Sequence, residues 1–539
     1  MFCKQSLKKD DVMKQRYMVN FLVLQFFLLF LHSATVQTTY LYRSAAPKPG
    51  GVAPSFHYID ALSVTDFRNP GESTLTKTYV INAPGTYTFV QDIGSQSTSS
   101  VTGIGSQTAL FINASNVIVD LGGRTLWQNG STANISGIEV NRNLHNITIK
   151  NGHIAEFKGY GILVNYGCDD IRIQNITVSN CVTAGIGLLG TTTAEQEIRN
   201  VVIDNCVVSN ITGKATVDAV GLLIHAAANV YVSDSVFGRC KSAADDAYGV
   251  RVQGGCKNIN FQNCDASGNQ GDSAAGFAFL GTDIAEGCSL INCTANNNHG
   301  NESSALGYSY GFAFTSAISD NNAGAISARG FYLESCTAMS NKGAASSHGF
   351  YFGNAEYFHI MECKALGNTV LSGSTATHAT DGAHGFSCYK GAGHIFENCL
   401  AVGNISNQDT NGIITAGFFA QETNNVIFKE CQANNNQVTG HTVSEGAGFY
   451  LDGATNSCIN TLIRNCKASN HRGLATGYGF YDGSLTSTTF IADCTAFGNT
   501  VNYLINPAVG AVHTDAPQKV GTLANVQQLP LLNLDITSN

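Results

Sequence analysis

Seven copies of the pattern Cys-x-Ala-x-(Gly/Asn/Ser)-Asn dominate the second half of this 539-residue chain. They begin at Cys264, Cys293, Cys336, Cys363, Cys399, Cys431 and Cys494. An eighth copy begins at Cys466 and ends in His471 in place of Asn. With Cys466 included, successive cysteines are 29, 43, 27, 36, 32, 35 and 28 residues apart. A period of this kind, with insertions of variable length, is typical of an array in which each unit is one supersecondary element. The sequence therefore predicts a solenoid.

Each repeat contains the signals of three short strands. A β-branched or aromatic alternation such as Ile259-Asn-Phe261 precedes the cysteine and predicts a half-buried strand. Asn often stands directly before the cysteine and tolerates left-handed backbone, so we expect a bend there and a hydrogen-bonded ladder of stacked Asn side chains. A Gly-Phe pair, as at Gly349-Phe350, marks a third strand in phase with the cysteines. Three strands in about 30 residues predict a coil that pairs in parallel with the coils above and below.

This repeat resembles the right-handed parallel β-helix proteins of the pectin-lyase-like superfamily, and segments 81–90 and 111–126 look like that family's first coils. The resemblance implies an all-β, right-handed parallel β-helix of about 14 coils with capped ends. The predicted organisation is a signal peptide or signal anchor at 1–33, a linker at 34–75, the β-helix at 76–500 and a C-terminal cap or tail at 501–539.

Composition and the N-terminus restrict the compartment and the partners. A net charge of −9 with only 12% charged residues argues against nucleic-acid binding, which needs concentrated Lys and Arg. Several lysines precede the apolar segment 17–31, which is short for a membrane span and is typical of a signal peptide; an uncleaved anchor is the alternative. We therefore expect a secreted or cell-surface protein that contacts a membrane only through this segment, if it is retained.

The chain has 17 cysteines, and eleven of them are expected in one stacked position as a buried thiol ladder: residues 181, 206, 240, 264, 293, 336, 363, 399, 431, 466 and 494. Stacked inward side chains point in parallel and rarely meet the torsion that a disulfide requires. The better disulfide candidates are the off-register cysteines at 168, 256, 288, 388 and 458.

The best catalytic candidates are Asp245, Asp246 and Arg251. The resemblance implies polysaccharide lyases and glycoside hydrolases, whose chemistry needs two or three acidic groups, or a metal-assisted acidic cluster with an Arg or Lys base. The Gly-His-Gly and Arg-x-Lys patterns of polygalacturonase-like hydrolases are absent. A second acidic pair, Asp169-Asp170, is more typical of a turn cap. No metal site and no cofactor are predicted, except calcium if the protein is a lyase.

A second set of candidates stands directly before the Gly of the third strand and should stack from coil to coil. Its members are Tyr310, His348, His384 and Tyr478. Such a line of rings can bind sugar rings or simply cover a corner of the coil. Two histidines alone do not define a metal site.

Three functional hypotheses follow. The first is a non-catalytic, exported scaffold or adhesin that contacts a polysaccharide or cell-surface glycan through the Tyr/His line. The second is a polysaccharide lyase or polygalacturonase-like hydrolase acting on an acidic polysaccharide. The third is a structural rod that oligomerises through an exposed apolar face. Three or more carboxylates converging beside Arg251 would favour the enzyme, whereas an even polar face would favour the scaffold.

Overall fold

A computed structural model describes most of the repeat array. The described residues are 55–59, 79–96, 108–129, 134–193, 196–214, 217–301, 307–316, 326–371, 382–407, 414–439, 444–452, 458–483 and 489–505. The predicted signal segment 1–33 and residues 506–539 lie outside them, so both assignments stay predictions. Across the described ranges the model has no helix that is long and apolar enough to cross a membrane.

The strands form four sheets, and the strands of neighbouring coils pair in parallel. Sheet 1 has 15 described strands in strict chain order: Tyr79–Ile81, Thr108–Ile112, Ser136–Val140, Tyr160–Asn165, Ala184–Leu189, Ala219–His225, Ala247–Gln253, Ala274–Leu280, Tyr308–Thr315, Ser346–Gly353, Ala383–Tyr389, Ile414–Gln421, Glu445–Asp452, Thr476–Asp482 and Val501–Ile505.

Sheet 2 has 21 described strands: Phe56–Ile59, Gly85–Phe89, Ile93–Gln96, Val117–Asn129, His145–Ala155, Asp169–Ser179, Ile198–Asp204, Val207–Ser209, Ala227–Ser233, Val236–Gly238, Lys257–Gln262, Ala285–Glu286, Ser289–Ile291, Ala328–Arg329, Tyr332–Glu334, Ala355–Glu356, His359–Met361, Ile395–Glu397, Ile427–Lys429, Thr461–Arg464 and Thr489–Ala492.

Sheet 3 has seven described strands: Thr294–Asn296, Thr337–Met339, Lys364–Leu366, Leu400–Val402, Gln432–Asn434, Lys467–Ser469 and Thr495–Phe497. Sheet 4 has six: Gln270–Gly271, His299–Gly300, Lys342–Gly343, Thr369–Val370, Ile405–Ser406 and Gln437–Val438. The all-β parallel solenoid is confirmed. The number of coils and the capped ends stay predictions.

The core lies inside the coils and is built from stacks of identical side chains. The Phe of each Gly-Phe pair in sheet 1 points inward and stacks on the aromatic ring of the next coil. From Phe312 through Phe350 to Phe386, the ring centroids are 4.7 Å apart at each step. This spacing is the distance between paired strands, so the stack follows directly from the parallel register.

The predicted bends before the cysteines are present. Six Asn residues in this place have positive φ angles between 49° and 54°: Asn180, Asn205, Asn263, Asn292, Asn398 and Asn465. Exposed Asn side chains bond from coil to coil here, as from Asn292 Nδ2 to Asn263 Oδ1 at 3.3 Å. The left-handed backbone that Asn tolerates is what turns the chain from sheet 2 toward the cysteine.

A longer and fully buried ladder is formed by the Asn that ends each motif. The Nδ2 of Asn341 donates to Oδ1 of Asn368 at 2.9 Å, and Asn368 and Asn404 repeat the bond at 2.9 and 2.8 Å toward the next coil. The backbone N–H of each Asn donates to the same oxygen, for example from Asn368 to Asn404 at 3.2 Å. A buried amide is stable only when it is bonded in this way.

The cysteines are buried, but they occupy more than one column. All 16 cysteines among the described residues are buried free thiols, so the structure forms none of the disulfides considered for 168, 256, 288, 388 and 458. Cys240 N–H donates to Asn269 Oδ1 at 3.1 Å, which places Cys240 in the column of the motif Asn. Cys181 lies in that same column by register. The prediction of one eleven-member ladder is therefore wrong for these two residues.

The solenoid extends beyond the predicted limits at both ends. Phe56–Ile59, inside the predicted linker, pairs in parallel with Gly85–Phe89. Val501–Ile505, inside the predicted cap, pairs with Thr476–Asp482. A Pro- and Gly-rich stretch predicted the linker and the loss of the repeat predicted the cap, and a coil that lacks the repeat gives no signal of its own.

Candidate active site

Three aspartates converge where two consecutive coils enter sheet 1. Asp218 and Asp246 stand directly before the strands Ala219–His225 and Ala247–Gln253, and Ala219 pairs with Ala247. The parallel register therefore places Asp218 and Asp246 at equivalent positions of adjacent coils, with Asp245 beside them. One carboxylate oxygen from each of the three lies within 4.8 Å of the other two.

Hydrogen bonds fix the orientation of this cluster. Arg251, four residues into the second strand, donates from Nη1 to Asp218 Oδ2. Tyr248 donates its hydroxyl to Asp246 Oδ2 at 2.7 Å, and the Ser273 N–H donates to Asp246 Oδ1 at 3.0 Å. The Arg251 guanidinium also lies over the Tyr248 ring, 5.1 Å from its centroid. The predicted residues Asp245, Asp246 and Arg251 are thus brought together.

The cluster is half-buried, and this determines its protonation. Burial is the largest cause that raises the pKa of the Asp218 carboxyl to about 6; Arg251 opposes the rise, and Asp246 and Asp245 add to it. Burial and the adjacent Asp246 hold the pKa of Tyr248 well above its usual range, so this hydroxyl stays a hydrogen-bond donor. Three carboxylates at this separation repel one another, and a proton on Asp218 relieves the repulsion.

The oxygen positions fit a hard divalent cation. Calcium binds oxygen ligands at 2.3–2.6 Å, so two oxygens on one ion are at most about 5 Å apart. The 4.8 Å limit among the three carboxylates meets this condition. Asp218, Asp245 and Asp246 would hold such an ion, supplying three of its six to eight oxygens.

Asp218 was not predicted, although the sequence contains a signal for it. Asp-Ala-Val-Gly at 218–221 and Asp-Ala-Tyr-Gly at 246–249 are the same four-residue pattern, one coil apart. Aligning the repeats on the strand-entry Gly would have identified the third carboxylate. Asp169 and Asp170 do not form the turn itself but begin the strand Asp169–Ser179 directly after it, where Asp170 has a φ of 52° and Asp169 Oδ1 accepts its N–H at 3.0 Å.

The predicted Tyr/His line stacks as expected but is not open. Tyr310 pairs with His348 and His348 with His384, with ring centroids 5.4 and 5.1 Å apart. The exposed fractions of Tyr310, His348, His384 and Tyr478 are only 1%, 2%, 0% and 7%. Tyr478 donates its hydroxyl to Glu445 Oε1 at 3.4 Å. These rings offer no open stacking surface, and a ligand role for them stays a prediction.

Comparison with known proteins agrees with the fold. Residues 94–266 match the family model described as a right handed beta helix region. Together with the parallel sheets, this defines the chain as a right-handed parallel β-helix protein. No curated protein matches the sequence.

Solved structures with similar chains have 10–12% identity to this protein. The Dettilon tailspike protein aligns over 69% of this chain with 11% identity and a TM-score of 0.35, and this chain spans 58% of its length. The N-terminal fragment of the bacteriophage Phi29 gene product 12 aligns over 81% of this chain and 67% of its own, with 12% identity and a TM-score of 0.42. The A-module of a mannuronan C-5 epimerase from Azotobacter vinelandii aligns over 80% and 91%, with 10% identity and a TM-score of 0.30.

Proposed function

We propose that this protein is a divalent-cation-dependent enzyme that cleaves an acidic polysaccharide, most consistent with a lyase, and that Asp218, Asp245, Asp246 and Arg251 form its active site. The observation that carries the proposal is the convergence of three half-buried carboxylates beside one guanidinium. Of the hypotheses drawn from the sequence, this arrangement favours the enzyme over the non-catalytic scaffold.

A purely structural role explains the cluster poorly. Like charges placed directly opposite each other on neighbouring strands are destabilising, and burial increases the cost. The Asn ladder, by contrast, fills a buried corner of successive coils with neutral side chains that bond to one another. Ionisable groups held at such a cost are a recognised mark of functional sites.

The local charge indicates the class of substrate. Three carboxylates and one guanidinium leave the site negative, so an acidic polysaccharide would be repelled unless a cation neutralised the cluster. A bound cation would act as a Lewis acid on the substrate carboxylate. Arg251, positioned by Asp218 and the Tyr248 ring, would contact the same carboxylate as a hydrogen-bond donor.

The spacing of the carboxyl groups argues against an inverting glycoside hydrolase. Inverting glycosidases hold their two carboxyl groups roughly 6.5–9.5 Å apart to leave room for a water. The oxygens here come within 4.8 Å of one another, which leaves no such room. Asp218, whose pKa is about 6, takes up a proton below that pH, and a bound cation would compete with this proton.

Secretion or surface display is part of the proposal and is supported by the sequence of the N-terminal segment. A large extracellular polymer would be accessible to an exported chain.

The test is turnover by the purified full chain on a panel of acidic and neutral polysaccharides, with calcium or with a chelator. Ultraviolet absorbance of unsaturated products reports elimination, and new reducing ends report any cleavage. We expect Asp245→Asn and Arg251→Gln each to reduce turnover by at least about 100-fold. Asp283→Asn, at an exposed carboxylate, is the matched control.

Two results would overturn the proposal. One is the absence of turnover on the whole panel together with the absence of calcium binding by calorimetry. The other is turnover that survives both site variants. Glycan binding without turnover would instead support the hypothesis of a non-catalytic scaffold.

A further inference from the structure

An apolar stripe runs along the outer face of sheet 2 on its last four described strands. Its members, Ile395, Ile427, Leu462 and Phe490, are paired in register from one strand to the next. The two end members are 36% and 44% exposed. Beside the stripe, Ile459 is 43% exposed. We call Ile395, Ile427, Leu462 and Phe490 the outer stripe.

The stripe is confined to one part of the sheet. In earlier coils the same column holds Tyr231, Asn260 and Ser289, which are paired in the same register. The Tyr231 hydroxyl bonds to Gln262, and Asn260 accepts from Ser289, so these residues form a polar surface. Four successive apolar residues on an outward face are not required by the coil, because the coil tolerates polar residues there. Contiguous exposed apolar surface of this kind marks an interaction site.

A charged column runs directly beside the stripe and changes sign along it. Glu397, Lys429 and Arg464 are paired in register, two residues after Ile395, Ile427 and Leu462 respectively. The negative charge lies toward the earlier coils and the positive charges toward the later ones. Lys429 Nζ and Glu397 Oε1 form an ion pair at 2.7 Å within the chain, and the two side chains are 44% and 25% exposed, so both charges remain accessible to a second molecule.

We propose that the outer stripe is the interface of a two-fold, antiparallel dimer with a second copy of this chain. When the two-fold axis passes between the strands of Ile395 and Ile427, Ile395 of each copy lies opposite Ile427 of the other. The same operation places Glu397 of each copy opposite Lys429 of the other. A parallel pairing about this column would instead place Glu397 against Glu397 and Lys429 against Lys429. Charge complementarity therefore selects the antiparallel arrangement.

The dimensions of the stripe predict a weak dimer. With the axis in this position, Leu462 and Phe490 of each copy lie opposite His359 and Tyr332 of the other, which precede Ile395 in the same column. The contact therefore runs over six strands, from Tyr332–Glu334 to Thr489–Ala492, and at about 4.8 Å per strand it is about 24 Å long. Such a contact buries less than the roughly 800 Å² per partner of a stable complex. We therefore expect association in the micromolar range, visible as a concentration-dependent equilibrium.

Sedimentation equilibrium of the full chain tests the proposal. We expect Phe490→Ser and Ile427→Asp each to weaken association by about tenfold or more, because Phe490 is the most exposed member of the stripe and Ile427 lies beside the two-fold axis. Tyr231→Ser lies in the same column outside the stripe and should leave association unchanged. The thermal unfolding midpoint of each variant establishes that it is folded.

A mixing experiment tests the register itself. Lys429→Glu alone and Glu397→Lys alone each place like charges across the dimer and should weaken self-association. An equimolar mixture of the two variants places opposite charges across the dimer at both contacts, and should restore association to near the wild-type level. Within each variant chain the ion pair between residues 397 and 429 stays broken, so association can be restored only by contacts between copies.

Three outcomes would overturn the proposal. The first is a protein that stays monomeric up to about 0.1 mM, beyond the micromolar range that the stripe implies. The second is a dimer that neither Phe490→Ser nor Ile427→Asp weakens, and the third is a mixture of the two charge variants that associates no better than each variant alone. The last two would place any association elsewhere, including on residues 506–539.

Discussion

His471 should make the folded protein sensitive to acid. It replaces the motif Asn in the eighth repeat and continues the buried ladder with different bonds. The Asn436 N–H donates to His471 Nδ1 at 3.2 Å, and Nε2 donates to the Ala433 carbonyl at 3.1 Å. Protonation would occur at Nδ1 and would remove its acceptor lone pair.

The direction and size of the pH effect on stability follow from the pKa of His471. Burial lowers the pKa of His471 to about 4 in the folded state, although two backbone contacts oppose it. In the unfolded chain a histidine titrates near pH 6.5, so between these values the unfolded state binds more protons. The stabilising contribution is therefore complete above about pH 6.5 and is lost as pH falls toward about 4. At about pH 5 the loss is about 2 kcal/mol.

The assay is urea unfolding of wild type and His471→Asn at about pH 7.5 and about pH 5, where linkage predicts the difference. Asn fits the same place in the other coils, so we expect a change within about 1 kcal/mol near neutral pH. Between the two pH values the variant should lose about 2 kcal/mol less stability than wild type. The matched control is His145→Asn at an exposed histidine. An equal pH dependence in wild type and His471→Asn would refute the reasoning.

Three further outcomes are expected. Phe350→Ala should cost about 3–5 kcal/mol of unfolding free energy, because the ring is fully buried between two stacked rings, whereas Phe497→Ala at an exposed ring should cost less than about 0.5 kcal/mol. Asn404→Ala should cost about 2–5 kcal/mol in the same urea assay, because the Asn368 amide and backbone N–H both lose their acceptor. Calcium affinity measured by calorimetry should fall about tenfold between about pH 7.5 and about pH 5, because a proton competes with calcium for Asp218, whose pKa is about 6. An unchanged affinity would contradict the assignment of Asp218 as a calcium ligand.

The repeat motif predicted the fold well because each of its residues has a simple physical role. Asn before the cysteine gives the left-handed bend, Gly-Phe gives the inward stack, and both were found where expected. The local motif could not predict which residues of different coils come into contact. Cys240 looked like a ladder cysteine but lies in the Asn column, because Ser235 takes the ladder position in this coil and Cys240 stands at the next bend.

For the same reason, only part of the candidate site could be predicted from the sequence. Asp245, Asp246 and Arg251 are close in sequence, so their proximity could be inferred. Asp218 lies one coil away, and only the register with Asp246 makes it a neighbour. For Tyr310 and His348 the repeat phase predicted the stacking correctly, but it gave no information on their burial. It could not show what covers the outer face of sheet 1.

The solenoid also separates the two proposed functions. Each coil contacts only its neighbours, so a perturbation decays within a few coils. The proposed active site lies where Ala219–His225 and Ala247–Gln253 pair, and the outer stripe begins several coils later at Ile395–Glu397. Lys429→Glu should therefore weaken the dimer and leave turnover unchanged, whereas Arg251→Gln should do the reverse. A loss of turnover in both variants would show that cleavage depends on assembly.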